Sequence, residues 1–167
     1  MASVPDLLGP DLDVVFCGIN PGTVSGRLGQ HFARPGNRFW KVLHLAGFTD
    51  RLLRPDEQWA LLDYKLGVTN LVERVSGSAA EVSTAELRAG AATLAEKAAR
   101  WNPRWVAVLG AEAYRKGFRR PKAPMGRQPE TIGRGSGLWV LPNPSGLQAR
   151  YQIPDMVTLY GELRRNL

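Results

Sequence analysis

Two short stretches carry the chemistry that residue type and spacing can suggest: Gly18-Ile19-Asn20-Pro21-Gly22 and Asn143-Pro144-Ser145-Gly146-Leu147. Each follows an apolar run, Val14-Val15-Phe16-Cys17 in one case and Leu138-Trp139-Val140-Leu141 in the other. An apolar run that breaks into a Gly/Pro turn reads as a buried strand and its end. Each break therefore sets backbone N–H groups and one side-chain amide at the carboxyl end of a strand. In open α/β sheets that edge is where ligands bind. An amide can orient a water or hold a polar edge, but it takes no proton at neutral pH. The chemistry to expect is positioning.

The elements that must hold these turns follow along the chain. Residues 12–19 read as the first strand, and the loop from Pro21 to Gly36, with four glycines and two prolines, as irregular and exposed. Loops of that length in compact domains are usually functional. Arg38 to Ala46 fits a helix capped by Asn37, with Phe39, Trp40, Val42, Leu43 and Leu45 as core candidates. Pro55 to Tyr64 fits a second helix around Trp59, Leu61 and Leu62, and Val68 to Val72 the next strand. Ser83-Thr84-Ala85-Glu86 is a capping box that opens an Ala-rich helix running to about Trp101. Val106 to Leu109 is another apolar strand, and Gly110 leads into a helix from Ala111 to Phe118. Residues 119–136, basic and rich in Gly and Pro, read as loop, with Gly133-Arg134-Gly135-Ser136-Gly137 inside it. After the strand at Leu138–Leu141, Pro154 starts a C-terminal helix that turns Met156, Val157, Tyr160 and Leu163 inward.

Apolar strands alternating with amphipathic helices imply an α/β fold, a parallel sheet covered on both faces. In such a sheet the strand ends gather on one edge, so Asn20 and the Asn143–Gly146 loop should face one cleft. At 167 residues, without repeats or linkers, the chain reads as one domain. Nothing resembles a transmembrane run or an export signal, which predicts a soluble, cytoplasmic protein with no membrane contact. The lone cysteine, Cys17, reads as a small buried hydrophobe, and His31 and His44 lack metal-ligand spacing. No metal or cofactor is implied.

Charge is distributed unevenly. Residues 1–100 are balanced, and the whole net +7 lies in residues 101–167. The densest stretch holds Arg115, Lys116, Arg119, Arg120, Lys122 and Arg127, with no acid from 113 to 129. One-sided basic charge suits a polyanionic partner, most simply nucleic acid.

The turn at Gly18–Gly22, the run Asn37-Arg38-Phe39-Trp40, the segment Gly67-Val68-Thr69-Asn70-Leu71-Val72-Glu73-Arg74 and the later Asn143-Pro144-Ser145-Gly146-Leu147 together resemble the uracil-DNA glycosylase superfamily, in its mismatch-specific uracil/thymine branch. The likeness covers nearly the whole chain. It implies a three-layer α/β/α sandwich around a four-stranded, mainly parallel sheet. It implies a monofunctional enzyme that flips uracil, and also mispaired thymine or other modified pyrimidines, out of double-stranded DNA and hydrolyses the glycosidic bond to begin base excision repair.

By that resemblance Asn20 is the catalytic amide. Cleavage passes through an oxocarbenium-like state, with water placed at the sugar C1′ and the pyrimidine leaving as an anion. Gly18, Ile19, Gly22, Ser25, Phe32 and Asn70 correspond to substrate-binding positions: Phe32 and Ile19 against the flipped base, the Gly22–Gly26 segment through backbone N–H groups, Asn70 either at the base edge or supporting the residues that touch it. Asn143, Ser145, Gly146, Leu147, Gln148 and Arg150 correspond to DNA-binding positions, Gly146-Leu147-Gln148 as the wedge and Ser145 at a phosphate. Leu147 there fills the gap left by the flipped nucleotide, and Arg150 braces a phosphate or the orphaned base. In the branch's commoner pattern that arginine stands one place nearer the leucine. Asp63 is the first candidate for a carboxylate that polarises water beside Asn20, and Glu73 the second. No lysine occupies the turn, so no Schiff-base chemistry is expected. A monomer is expected, with downstream repair enzymes as further partners. A catalytically silent DNA-binding module and a nucleoside-cleaving enzyme are the rival readings.

Overall fold

The structure is a computed structural model and describes residues 3–167. Strand β1 (Val14–Gly18) is the centre of the sheet's left half, parallel to β2 (Leu66–Asn70) on one side and to β3 (Trp105–Leu109) on the other. Next to β3 runs β5 (Ser136–Leu141), also parallel. These are the four expected parallel strands. A fifth, β4 (Gly126–Ile132), pairs antiparallel with β5 and closes the order β2-β1-β3-β5-β4.

β4 lies in the stretch whose composition reads as loop. Its buried positions are Gly126, Gln128 and Ile132, so the inward face lacks the apolar alternation that marks a strand. Pro129 is compatible with it because β4 is an edge strand and the pairing is irregular between Arg127 and Thr131. The glycine-rich run after it is a hairpin turn into β5, with Gly133 and Gly135 at φ 63° and 112°.

Both faces are covered. Helices α2 (Phe39–Leu45) and α5 (Ile153–Arg164) pack together over one core, built on Phe16, Phe39, Leu43, Leu141, Met156 and Tyr160. Helices α3 (Thr84–Trp101) and α4 (Ala111–Gly117) cover the other face over Leu94, Val106, Val108, Tyr114 and Val140. The α3 capping box forms as read, Ser83 and Glu86 each accepting the other's backbone N–H. Alternation along β1 sends Phe16 to the first core and Cys17 to the second. Burial pushes the Cys17 thiol well above its ordinary pKa, which keeps it protonated and inert.

Three local expectations change. Pro55–Tyr64 winds as a 3-10 helix, so residues three apart share a face: Gln58 and Leu61 are buried while Trp59 stays exposed. Leu45, at the end of α2, is also exposed. The Pro21–Gly36 loop contains a short helix, α1 (Thr23–Leu28), and buries Ser25 and His31. Among the described residues no helix is long and apolar enough to cross a membrane.

Phe16 meets Phe39 and Phe48 edge-on at ring distances of 5.5 and 5.4 Å and stacks near Tyr160. Phe16→Ala should therefore lower stability by about 3–5 kcal/mol, read as a reduced urea midpoint with little change in the slope.

Candidate active site

The register of β1 against β2 sets Gly18 opposite Asn70 at the carboxyl edge of the sheet. The pairing then outlasts the strands: Leu71 and Val72 donate to the carbonyls of Gly18 and Ile19, and Ser76 donates to Pro21. Residues 70–76 are thereby laid alongside the Asn20 turn.

The amide of Asn20 is held by its nitrogen. Nδ2 donates to the Arg74 carbonyl at 2.8 Å and to Ser76 Oγ at 2.7 Å. Ser76 in turn donates to the Ser78 carbonyl. Because the Arg74 carbonyl can only accept, the amide orientation is determined, and Oδ1 is left without a bond to any described residue. Asn70 is different. Its amide makes no hydrogen bond to a described residue, so both its donor and its acceptor are available.

Asn20 and Asn70 line one cavity of about 120 Å³ together with Gly18, Ile19, Gly22, Ser25 and Phe32 from the first turn and Asn143, Ser145 and Leu147 from the second. That volume is small beside the roughly 300–1,000 Å³ of pockets for drug-sized ligands. Gly18 sits close under its floor: a Cβ there would meet Asn70 Oδ1 at 2.6 Å and the Phe32 ring at 3.5 Å. Phe32 rests one face on Phe39, ring centres 4.1 Å apart, and adopts φ 52° to do so. A bulky side chain in that left-handed region is strained and needs an over-determined surrounding. The surrounding is there. Ala33 donates to Ser25 Oγ, Gln58 bonds His31 N–H and the Gly29 carbonyl, and Trp40 Nε1 donates to the His31 carbonyl. Burial lowers the pKa of His31, whose Nε2 faces the Pro5 carbonyl at 2.6 Å, so the ring is neutral with its proton on Nε2.

The second turn is built as a compact loop. Asn143 Oδ1 accepts from Ser145 N–H, and Ser145 Oγ from Leu147 N–H. The guanidinium of Arg38 gathers the carbonyls of Pro144, Ser145, Gln148 and Tyr151. Tyr160 donates to Pro142 from below. Leu147 is left 61% exposed at the cavity mouth.

Several expected site residues stand elsewhere. Asp63 is exposed on the last turn before β2, at the amino end of a strand about 13 Å long, whereas Asn70 ends that strand at the cavity. Glu73 is exposed and also outside the cavity lining. Among the described residues no carboxylate lines the cavity, and Arg34 on its rim is the one charged side chain. Ile19 lines the cavity and also packs near Gly110 against the α3–α4 core, so it stands between the two cavities. Gly26 N–H is used within α1, bonding the Gly22 carbonyl. Gln148 spends its amide on both backbone groups of Tyr151, closing the loop. Arg150 lies over the Tyr151 ring and lines a second cavity of about 440 Å³ with Arg115, Ile19 and Gln148.

Motif reasoning passed over Ser76, which sits two positions past Arg74 in an unremarkable Ser/Gly run, and gave no role of its own to Arg38, which read as a helix start within the Asn37–Trp40 run. Arg74 pairs with Glu86 at 3.0 Å, not with Glu73, and also donates to the Glu81 carbonyl. That ties the Asn20 anchor to the α3 cap.

Fold and cavity together define an α/β/α protein with a compact ligand site across the carboxyl ends of β1, β2 and β5. The model of the Uracil DNA glycosylase superfamily matches residues 5–163, and the chain belongs to that superfamily. DNA is accordingly its substrate class, and uracil excision the chemistry of the family. In fold it is similar to the solution structure of a candidate uracil DNA glycosylase from Methanosarcina acetivorans, at 16% identity and a TM-score of 0.58, covering 98% of each chain.

Two outcomes follow from this geometry. The Arg74 contact and the backbone N–H of Ser83 hold the Glu86 carboxyl down at about 2, below its ordinary 4.5. A depressed carboxyl contributes stability above its unfolded pKa and loses it as pH falls. The gap in urea midpoint between wild type and Glu86→Gln should thus be constant above about pH 5 and close between about pH 4 and 2. Arg38→Lys replaces a planar fork by a point charge that cannot reach four carbonyls. Amide exchange over residues 145–151 should quicken about tenfold, equivalent to about 1.4 kcal/mol.

Proposed function

We propose that this protein is a monofunctional glycosylase that removes uracil from mismatched duplex DNA, acting as one domain and as a monomer. The observation that carries the reading is the locked amide of Asn20. With Nδ2 committed to Arg74 and Ser76, Oδ1 is presented as an acceptor for one water. That water is oriented towards the sugar C1′ as the bond to the base lengthens.

The base enters over Phe32, whose partly exposed ring replaces the lost stacking. Asn70 offers a donor and an acceptor to the base edge, and its N–H stabilises charge on the departing pyrimidine. With no carboxylate in the cavity, proton removal from water is left until the sugar cation has developed. This is a slow design that depends on positioning and on a good leaving group. Thymine, a mispaired base, fits the same chemistry, and its extra methyl is met by a pocket wall to which residues 23–31 contribute. Leu147, at the mouth on a rigid loop, fills the stack from which the nucleotide leaves. Arg34 at the rim and Arg115 and Arg150 beside the second cavity supply positive charge for the phosphates.

The test is base release from duplexes holding uracil opposite G or A and thymine opposite G, with single strands and free nucleosides as controls. Release from U·G duplexes is expected, with none from free nucleosides. Asn20→Ala should cut the single-turnover rate on the order of 10²–10⁴-fold while duplex binding changes little. Leu147→Ala should cost on the order of tenfold on paired uracil and much less on single strands, where no stack needs refilling. Equal loss on both, or a wild type that binds but never releases base, would remove this reading.

A further inference from the structure

The chain before β1 is also part of the cavity. Residues Val4–Leu7 run antiparallel beside β2: Leu7 and Val68 exchange both backbone hydrogen bonds, at 2.9 and 3.0 Å. Antiparallel register then sets Asp6 opposite Thr69 and Pro5 opposite Asn70. The side chains agree, since Thr69 Oγ1 donates to Asp6 Oδ1 at 2.7 Å and Lys97 bonds both residues. The segment lies so close over β2 that a Cβ on Gly67 would meet the Leu7 carbonyl at 2.5 Å. On its other side the Pro5 carbonyl receives the His31 ring. The segment is therefore fastened both to the strand that ends in Asn70 and to the loop that carries Phe32. One step beyond Pro5, Val4 lines the cavity and is half-buried there.

We infer that Val4 is a specificity-determining wall of the base pocket, limiting what the flipped pyrimidine can carry on the ring edge next to Asn70. This rests on the functional reading above, which supplies the pyrimidine. An apolar branched side chain there accepts a bare ring edge and has no polar group with which to recognise a substituent. A single methyl against such a wall changes rates roughly 10–200-fold.

The experiment compares wild type, Val4→Ala and Val4→Leu on duplexes carrying uracil, thymine or 3-methyluracil opposite G. The readout is the ratio of kcat/KM for each methylated base to that for uracil, so loss of folded protein cancels. Val4→Ala should raise one of the two ratios on the order of tenfold, and Val4→Leu should lower it. The ratio that moves identifies the edge facing Val4. In a complex with duplex DNA holding 2′-fluoro-deoxyuridine, whose fluorine suppresses formation of the sugar cation, the Val4 methyl resonances should shift together with the ring resonances of Phe32 and the side-chain amide resonances of Asn70. If both ratios stay within twofold while uracil release persists, or if Val4 is unmoved in the complex while Phe32 shifts, the wall assignment is overturned and the functional reading stands. A wild type that releases no uracil from any duplex overturns both.

Discussion

The site depends on two strands continuing to pair after they have stopped being strands. Beyond Gly18 and Asn70 the chains stay joined through Leu71, Val72 and Ser76, and this lays the Arg74 carbonyl and Ser76 Oγ against the Asn20 amide. An exposed Asn in a Pro-Gly turn would sample several rotamers and lose entropy on ordering a water. Here both nitrogen protons have acceptors before any ligand arrives, and the free oxygen is what remains. Arg74 carries the constraint outward to the α3 cap through Glu86, so the Asn20 turn, the β2 extension and a long helix share one polar network.

The second turn is organised by a different device. Pro, Ser and Gly leave the Asn143–Leu147 loop little side-chain packing of its own, and its carbonyls have few donors within the loop. Arg38 supplies those donors from the start of α2, a helix whose Phe39 also supports Phe32. One short helix thus positions both the ring on the cavity floor and the loop at its mouth. An exposed leucine on a flexible loop would bury itself on nearby apolar surface. On a loop clamped at four carbonyls it stays out at the mouth.

The cavity's electrostatics follow from what it omits. A carboxylate beside Asn20 would speed proton removal from water, yet Asp63 belongs to the far end of β2 and Glu73 points outward. The remaining polar groups are neutral amides and hydroxyls, with His31 kept neutral by burial. Such a lining offers hydrogen-bond donors and acceptors and carries no negative charge. Near the cavity, positive charge lies on Arg34 in its lining and on Arg115 and Arg150 in the neighbouring cavity.

The sequence by itself determined the parallel four-strand core, the capped α3 helix and the meeting of the two Asn-Pro turns. Each of these rests on local pattern: apolar runs of strand length, a Ser-x-x-Glu box, and the rule that parallel strands end on one edge. It could not reveal β4, whose buried positions are glycine, glutamine and one isoleucine, nor the three-residue period that exposes Trp59. It placed Asp63 near Asn20 because helix-to-strand corners can border a cleft, when this corner lies at the opposite edge. Only the tertiary structure decided which atoms hold Asn20, that Arg38 clamps the loop after β5, and that Val4 reaches the cavity. Those contacts join residues 54 to more than 100 positions apart, or pair an unmarked N-terminal segment with β2. No local period or spacing encodes them, because they exist only once the sheet has brought distant backbone within hydrogen-bonding reach.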